Sequence, residues 1–482
     1  MWFDHELKPK RVDMPPITPR DDINLFIRSQ DLINLHKLSL TLSHSDDSYV
    51  RELSVNILND IILLHNVQAE IYTGSESLFF NVDESARMIA TGLSDEANHV
   101  CLAACSAFIE LWKFLKFKSL ETNAYSNLFL PRLCLLRYCV AEGVRHKAAD
   151  AWLIFADSNG QSLLEKELAL VADYYAEKFR SENYMTRQCC CHASAEFVRK
   201  LDKESVRPLV VQIFDNLVNQ LIDRSWEVRD SANLVCGEYV DKFPVECLPL
   251  LNKPNQKNAL EFLFNNLGND SYLVRSSAAQ TLAKILDISS NSDVLDVDVK
   301  ASIHSRIINE VKSGLDMTNT EIDKLDNPSN NSTSRIKWQI ADGCIQLLAE
   351  MTSYQKLAAQ VFQLIPSLIS ALYHRNYKEH VVLLDTMIRR LPDMIKNIGK
   401  QRFKAVLDDF IEPLFYSLDC GYPQITKKAS DCMLTLSQLL GPSIWKAKIV
   451  KRNPEYGPRY DILMELLATG PHRTTEDRQE ML

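Results

Sequence analysis

The chain has 482 residues, 46% of them hydrophobic and 24% charged, which are globular proportions with material for a large core, so disorder is a minority state. Gly is scarce, at 13 residues, while Leu, Ala, Ile and Ser are abundant, and this disfavours a turn-dense β protein or a glycine-looped nucleotide fold. The formal charge of −9 argues against direct nucleic-acid binding, because phosphate contacts draw their free energy from Lys and Arg releasing condensed counterions.

Along the chain, Asp4, His5 and Glu6 stand near Met1 with no apolar run behind them, so residues 1–20 read as an N-terminal extension without a secretory signal. No window approaches ~18 uninterrupted apolar residues. The expectation is a soluble intracellular chain with no membrane partner.

From there one phrase recurs nine times: a polar turn with Asp or Asn, then Val-Arg or a variant, then a helix rich in small residues. The first clear copy is Ser45-Asp46-Asp47-Ser48-Tyr49-Val50-Arg51. Weaker copies centre on Val100, on Val144-Arg145 and on Arg187. Two more clear copies follow, Asp223-Arg224-Ser225-Trp226-Glu227-Val228-Arg229-Asp230 and Asn269-Asp270-Ser271-Tyr272-Leu273-Val274-Arg275. Ile336-Lys337, Val381 and Lys427 centre the rest. Aligned on the basic position, the copies fall at 51, 101, 145, 187, 229, 275, 337, 381 and 427, and all intervals but one lie between 42 and 50. This is the period of HEAT and armadillo repeats. The long interval holds a polar stretch, residues 316–334, that reads as an inserted loop. The expected organisation is therefore N-terminal repeats at 21–205, central repeats at 206–315, the loop at 316–334, C-terminal repeats at 335–470 and a tail at 471–482.

The fold expected is an all-α HEAT/armadillo-type α-solenoid of about nine helix pairs. In the helix after Asp270, Leu273, Val274, Ala278, Leu282 and Ile285 recur at helical spacing. First helices are expected at 206–222, 260–267, 357–372 and 403–418, with Pro208, Pro366 and Pro413 at starts or kinks. A single pair cannot cover both its faces, so each stripe must be buried by the pairs before and after it. Val50, Arg51, Val228, Arg229, Val274 and Arg275 form the repeat signature: the Val is core, the turn Asp caps a helix N-terminus, and the Arg can reach the neighbouring repeat's Asp.

Catalytic chemistry is not legible. The chain contains no G-x-x-x-x-G-K-[ST], no G-x-G-x-x-G, no G-x-S-x-G and no H-E-x-x-H. Cys189-Cys190-Cys191-His192 has metal-ligand residue types, but adjacent helical residues point about 100° apart and cannot converge on one ion. The twelve cysteines sit in apolar helical runs and read as buried reduced thiols, and the sequons at 330–333 are idle without a secretory signal. Lys446, Lys448, Lys451 and Arg452 read as a solvated helix end. No catalytic, cofactor-binding or metal residue is expected, and the chain does not read as an enzyme. Trp226, with Glu227 beside it, is the leading candidate partner contact, because Trp in an inter-helix turn is the residue type that dominates binding hot spots. Tyr272 repeats the arrangement, and Tyr422 stands in a later turn.

The phrases around Trp226 and Tyr272, with Asp419-Cys420-Gly421-Tyr422-Pro423 and Leu466-Leu467-Ala468-Thr469-Gly470 in the same order, resemble the BRCA-associated ATM activator family over roughly residues 206–470. That resemblance implies a non-catalytic scaffold of nucleus and cytoplasm whose partners are ATM-type kinases and subunits of the RNA-processing Integrator complex. The family's chain is longer and ends in an acid-Cys-Tyr signature, whereas this sequence ends Gln479-Glu480-Met481-Leu482. Other readings of the same repeats are a tubulin-binding HEAT array, which also places Trp in its turns, and a transport-receptor or phosphatase-type regulatory scaffold with acidic residues on its second helices.

Overall fold

The computed structural model describes residues 29–71, 78–118, 120, 122–251, 258–291, 297–317 and 337–468. The expected N-terminal extension 1–20, the inserted loop from 318 to 334 with its sequons, Ile336, the stretch Thr469-Gly470 and the tail 471–482 lie outside them. The described residues contain helices and no strand, and the fold is an all-α HEAT-type solenoid. By compactness the chain divides into residues 1–120 and 121–482, a boundary inside the expected 21–205 block.

The first unit holds two helix pairs, α1 (Ser29–Leu42) with α2 (Ser48–Ile71) and α3 (Val82–Gly92) with α4 (Asn98–Phe117). Helices α2 and α4 lie against each other. The buried residues Val55, Leu58 and Ile62 of α2 and Ala104, Phe108 and Leu111 of α4 supply the apolar surface that helices of this length need to persist in water. Asn81 starts α3 by accepting from the Glu84 amide.

In the second unit, α5 (Asn123–Leu136) pairs with α6 (Glu142–Ala156), and α7 (Gly160–Lys166) and α8 (Leu168–Lys178) precede α9 (Tyr184–Lys200). Next come α10 (Lys203–Val206) and α11 (Val210–Gln220) before α12 (Trp226–Lys242), then α13 (Pro244–Cys247) and α14 (Ala259–Leu267) before α15 (Tyr272–Asn291). Helix α16 (Val297–Leu315) precedes α17 (Lys337–Met351), and α18 (Ala358–Tyr373) precedes α19 (His380–Ile398). The series ends with α20 (Lys400–Phe403) and α21 (Ile411–Asp419) before α22 (Pro423–Leu440), and α23 (Pro442–Arg452) with α24 (Tyr456–Ala468). Every one of the nine aligned positions falls at or within four residues of the start of a second helix, and a tenth pair, α23/α24, closes the described series.

Two first helices expected as continuous are interrupted. Residues 206–222 are broken at a 3-10 turn, Arg207–Leu209, whose second residue is Pro208, and residues 403–418 at the 3-10 turn Leu407–Phe410. Proline lacks the amide that would continue the i→i−4 ladder, which accounts for the first break.

Second helices α9, α12, α15, α17, α19 and α22 pack each on the next in chain order. Val274, Ala278, Leu282 and Ile285 of α15 are fully buried between their neighbours, as their spacing requires, whereas Leu273, expected in the same stripe, lies on the outer side of the helix and is 49% exposed. Close approach depends on small residues: a Cβ on Gly343 of α17 would lie 2.0 Å from the Leu267 carbonyl oxygen at the end of α14. The fully buried Asn233 of α12 is matched on both its side chain and its carbonyl. Asn233 donates to Val274 O (3.3 Å) and Ser277 Oγ (3.0 Å), accepts from Asn266 (3.0 Å), and its carbonyl accepts from Thr281 Oγ1 (2.6 Å). Val274→Asp would place an unpaired charge at a fully buried inter-repeat position and is expected to destabilise the chain by several kcal/mol, read as a lowered thermal midpoint. An unchanged midpoint contradicts the packing described.

Candidate partner-binding edge

The signature arginine builds the turn it follows. In five copies one guanidinium nitrogen, Nη1, reaches back to two carbonyls of its own turn: Arg51 to Ser45 and Asp46, Arg145 to Cys139 and Val140, Arg187 to Ser181 and Glu182, Arg229 to Asp223 and Arg224, Arg275 to Asn269 and Asp270. In the copy with Cys101 at the basic position, its Sγ donates to the Asp95 carbonyl at 3.1 Å. The residue six before the basic position holds the turn with its side chain, accepting from the amide two residues on. Asp95 accepts from the Ala97 amide at 2.9 Å, Asp223 from Ser225 at 2.8 Å and Asn269 from Ser271 at 3.0 Å.

Where that turn residue is an Asp, the arginine of the preceding copy clasps it with two nitrogens. Arg51 reaches Asp95 at 2.7 and 3.0 Å, and Arg187 reaches Asp223 at 2.6 and 2.9 Å. Burial pushes the Asp95 carboxyl up, but the Arg51 hydrogen bond and the Ala97 amide outweigh it, and the group is held below the usual aspartate range. Asp223 is held down in the same way by Arg187 and the Ser225 amide against its burial. Arg275 finds its acid inside α17: Asp342 Oδ2 lies 2.6 Å from its Nε, with the two side chains 3% and 0% exposed. Asp342 also accepts from Gln346 (2.8 Å) and from Thr386 of α19 (2.5 Å). No sequence signal marked Asp342 or Thr386, because both stand mid-helix rather than in a turn.

These rungs fix the first residue of each second helix. Tyr184, Trp226 and Tyr272 open the stacked helices α9, α12 and α15, each three residues before its signature arginine. Trp226 is 40% exposed and Tyr184 38%, with exposed Ile222 in the adjoining turn and exposed Leu273 beside Tyr272 on α15. The Tyr272 hydroxyl accepts from Arg389 of α19 at 2.7 Å, and that guanidinium lies 4.7 Å from the Tyr272 ring centre, so this ring is partly occupied. Glu227 is half-buried, and Tyr422, 43% exposed, stands at the N-cap of α22, four second helices on from Trp226. The expected contacts are thus distributed around the starts of second helices rather than gathered in a pocket. Tyr184 was passed over because its copy has a weak turn phrase, although its offset from Arg187 matches that of Trp226 from Arg229.

Cys189, Cys190 and Cys191 are buried thiols, and His192 meets Ser231 Oγ at 3.2 Å, its imidazole pushed down by burial. Among the described residues no group of three or more His, Cys, Asp or Glu is placed to hold a metal ion, and no helix is long and apolar enough to cross a membrane. In the basic run, Lys446 pairs with Asp461 at 2.7 Å and Lys448 with Asp408, while Lys451 and Arg452 are exposed.

No protein-family model and no curated protein matches the chain. Among solved structures, it is similar to Kap121p bound to Nup53p, with 14% identity over 90% of this chain and 39% of that one and a TM-score of 0.49. The structure of the karyopherin Kap121p bound to the SUMO protease Ulp1p gives 14%, 91%, 39% and 0.49 for the same quantities. Yeast importin-beta (Kap95p) gives 14%, 94%, 56% and 0.38. The chain spans about two fifths of the length of the Kap121p structures.

The position opposite Arg229 is Asn269, not Asp, and the Arg229 Nε is buried without a hydrogen-bond partner. Asn269→Asp keeps the turn hydrogen bond to Ser271 and supplies the missing acid, so it is expected to raise stability by about 1 kcal/mol. Thermal or urea unfolding of the single variant checks this, and a lowered midpoint contradicts the rung geometry.

Proposed function

We propose that this chain is a non-catalytic HEAT-repeat scaffold that binds protein partners along the edge where its second helices begin. One observation carries the reading: Tyr184 and Trp226 open adjacent stacked helices, stay well exposed, and stand on turns locked by the Arg187–Asp223 clasp. Exposed aromatic side chains on a rigid base are strong binding anchors, because they lose little conformational freedom on association.

The partners proposed are those that the sequence resemblance implies, ATM-type DNA-damage kinases and Integrator subunits, in nucleus and cytoplasm. Support comes from the phrases around Trp226, Tyr272 and Tyr422. A second reading, a regulatory or transport scaffold for basic segments, is favoured by the carboxylates of Asp241, Asp287 and Glu350. They come from α12, α15 and α17, and they add to burial in pushing the Tyr354 phenol up.

Affinity purification of the full chain is expected to recover ATM-type kinases or Integrator subunits, and the Tyr184→Ala/Trp226→Ala variant is expected to lose its direct partner at least tenfold with an unchanged circular dichroism spectrum. Recovery of neither class counts against the named partners. An unaltered partner set in the double variant counts against the edge itself.

A further inference from the structure

Helix α2 packs on α1, α3 and α4, and its buried side carries Val55, Leu58, Ile62 and His65 at helical spacing. At about 100° per residue, its opposite side carries Tyr49, Leu53, Asn56, Asp60, Leu63 and Val67. All six are exposed, and the four apolar side chains keep much of their surface in water: Tyr49 72%, Leu53 55%, Leu63 42% and Val67 48%. The outer face of an amphipathic helix is ordinarily polar, and a contiguous apolar stripe there marks a surface that another element covers.

The order of residues along the stripe selects its occupant. The six positions advance by alternate steps of four and three, the spacing of about 3.5 residues at which one helix meets another along a coiled-coil seam. They are also symmetric about position 58: Tyr49 and Val67 stand nine residues either side of it, Leu53 and Leu63 five, and Asn56 and Asp60 two. A copy of α2 laid antiparallel on α2 therefore sets Leu53 against Leu63 and Tyr49 against Val67 on both sides of a two-fold axis, with Asn56 against Asp60 near the centre. The Asn56 side-chain amide then donates to the carboxylate of Asp60 in the second copy, and symmetry makes that bond twice. On the flanks exposed Leu64 adds apolar surface and Glu52 faces Asn66, so no like charges meet. A parallel pairing in register would set Asp60 against Asp60 and is disfavoured.

We propose that this chain forms a symmetric homodimer in which the α2 helices of two copies pack antiparallel through this stripe. The seam runs about 27 Å along each helix. The proposal does not rest on the partner-binding edge, whose rings Tyr184 and Trp226 lie in the other unit.

Sedimentation equilibrium of the full chain is expected to give twice the monomer mass. Leu53→Glu/Leu63→Glu is expected to raise the dissociation constant about a hundredfold, since the dimer would bury both charges in each copy. Both side chains are exposed in the single copy, so its circular dichroism is expected to stay unchanged. Register is read by cross-linking: Leu53→Cys copies mixed with Leu63→Cys copies are expected to give a disulfide-joined dimer under oxidised glutathione, beyond the level of the unsubstituted chain, that neither variant forms by itself. That arm decides the matter even where the double glutamate variant fails to fold. A monomer at every concentration, with the stripe covered by residues 1–28 or by another protein, overturns the proposal. So does a dimer that Leu53→Glu/Leu63→Glu leaves intact, or a mixture of the two cysteine variants that gives no joined product.

Discussion

An arginine that closes its own turn and then holds an acid from the next repeat is the interaction on which this structure depends. Apolar stripes alone would let stacked helices slide or rotate, because dispersion and burial are non-directional. A guanidinium clasped to a carboxylate by two parallel hydrogen bonds is directional, and burial makes a mismatch expensive, since either charge left alone in a core costs several kcal/mol. Arg51–Asp95, Arg187–Asp223 and Arg275–Asp342 therefore set register as much as they add stability. The last pair extends furthest. Asp342 is fully buried, takes Arg275 from the helix before and Thr386 from the helix after, and Thr386 in turn accepts from Arg389, whose other nitrogen holds Tyr272.

That dependence explains why the scaffold reading rests on turns rather than on a pocket. The clasp holds the turn, the turn holds the first residue of the second helix, and in the copies that open with Tyr184 and Trp226 that residue is an exposed ring. Each copy presents the same position one repeat further along. Chemistry needing several groups to converge finds no such geometry at this register, whereas a partner that reads spaced anchors does.

Much of the fold was legible because it is periodic. The signature valines read as core from their place before the arginine; Val228 and Val274 are fully buried and Val50 is half-buried, while the nine aligned positions all fall at second-helix starts. The pairing of the turn Asp with the preceding arginine was also legible, since it acts within one repeat, whereas Asp95 and Asp223 hold the turn and do not cap the helix as expected. What the sequence hid were features without a local signature. Asp342 pairs with Arg275 from inside a helix, the break near Phe403 has no proline at the interrupted turn, and α16 lies within an interval whose polar loop dominated the reading. Tyr272 showed its ring in sequence but not its partner, because Arg389 lies 117 residues away.

Hydrogen exchange on the Asp342→Asn chain tests the central claim most directly. If buried clasps couple successive repeats, replacing this one carboxylate lowers amide protection in α15, α17 and α19 together, although only α17 carries the substitution. Protection lost in α17 alone would mean that each helix pair stands on its own packing and would contradict the account.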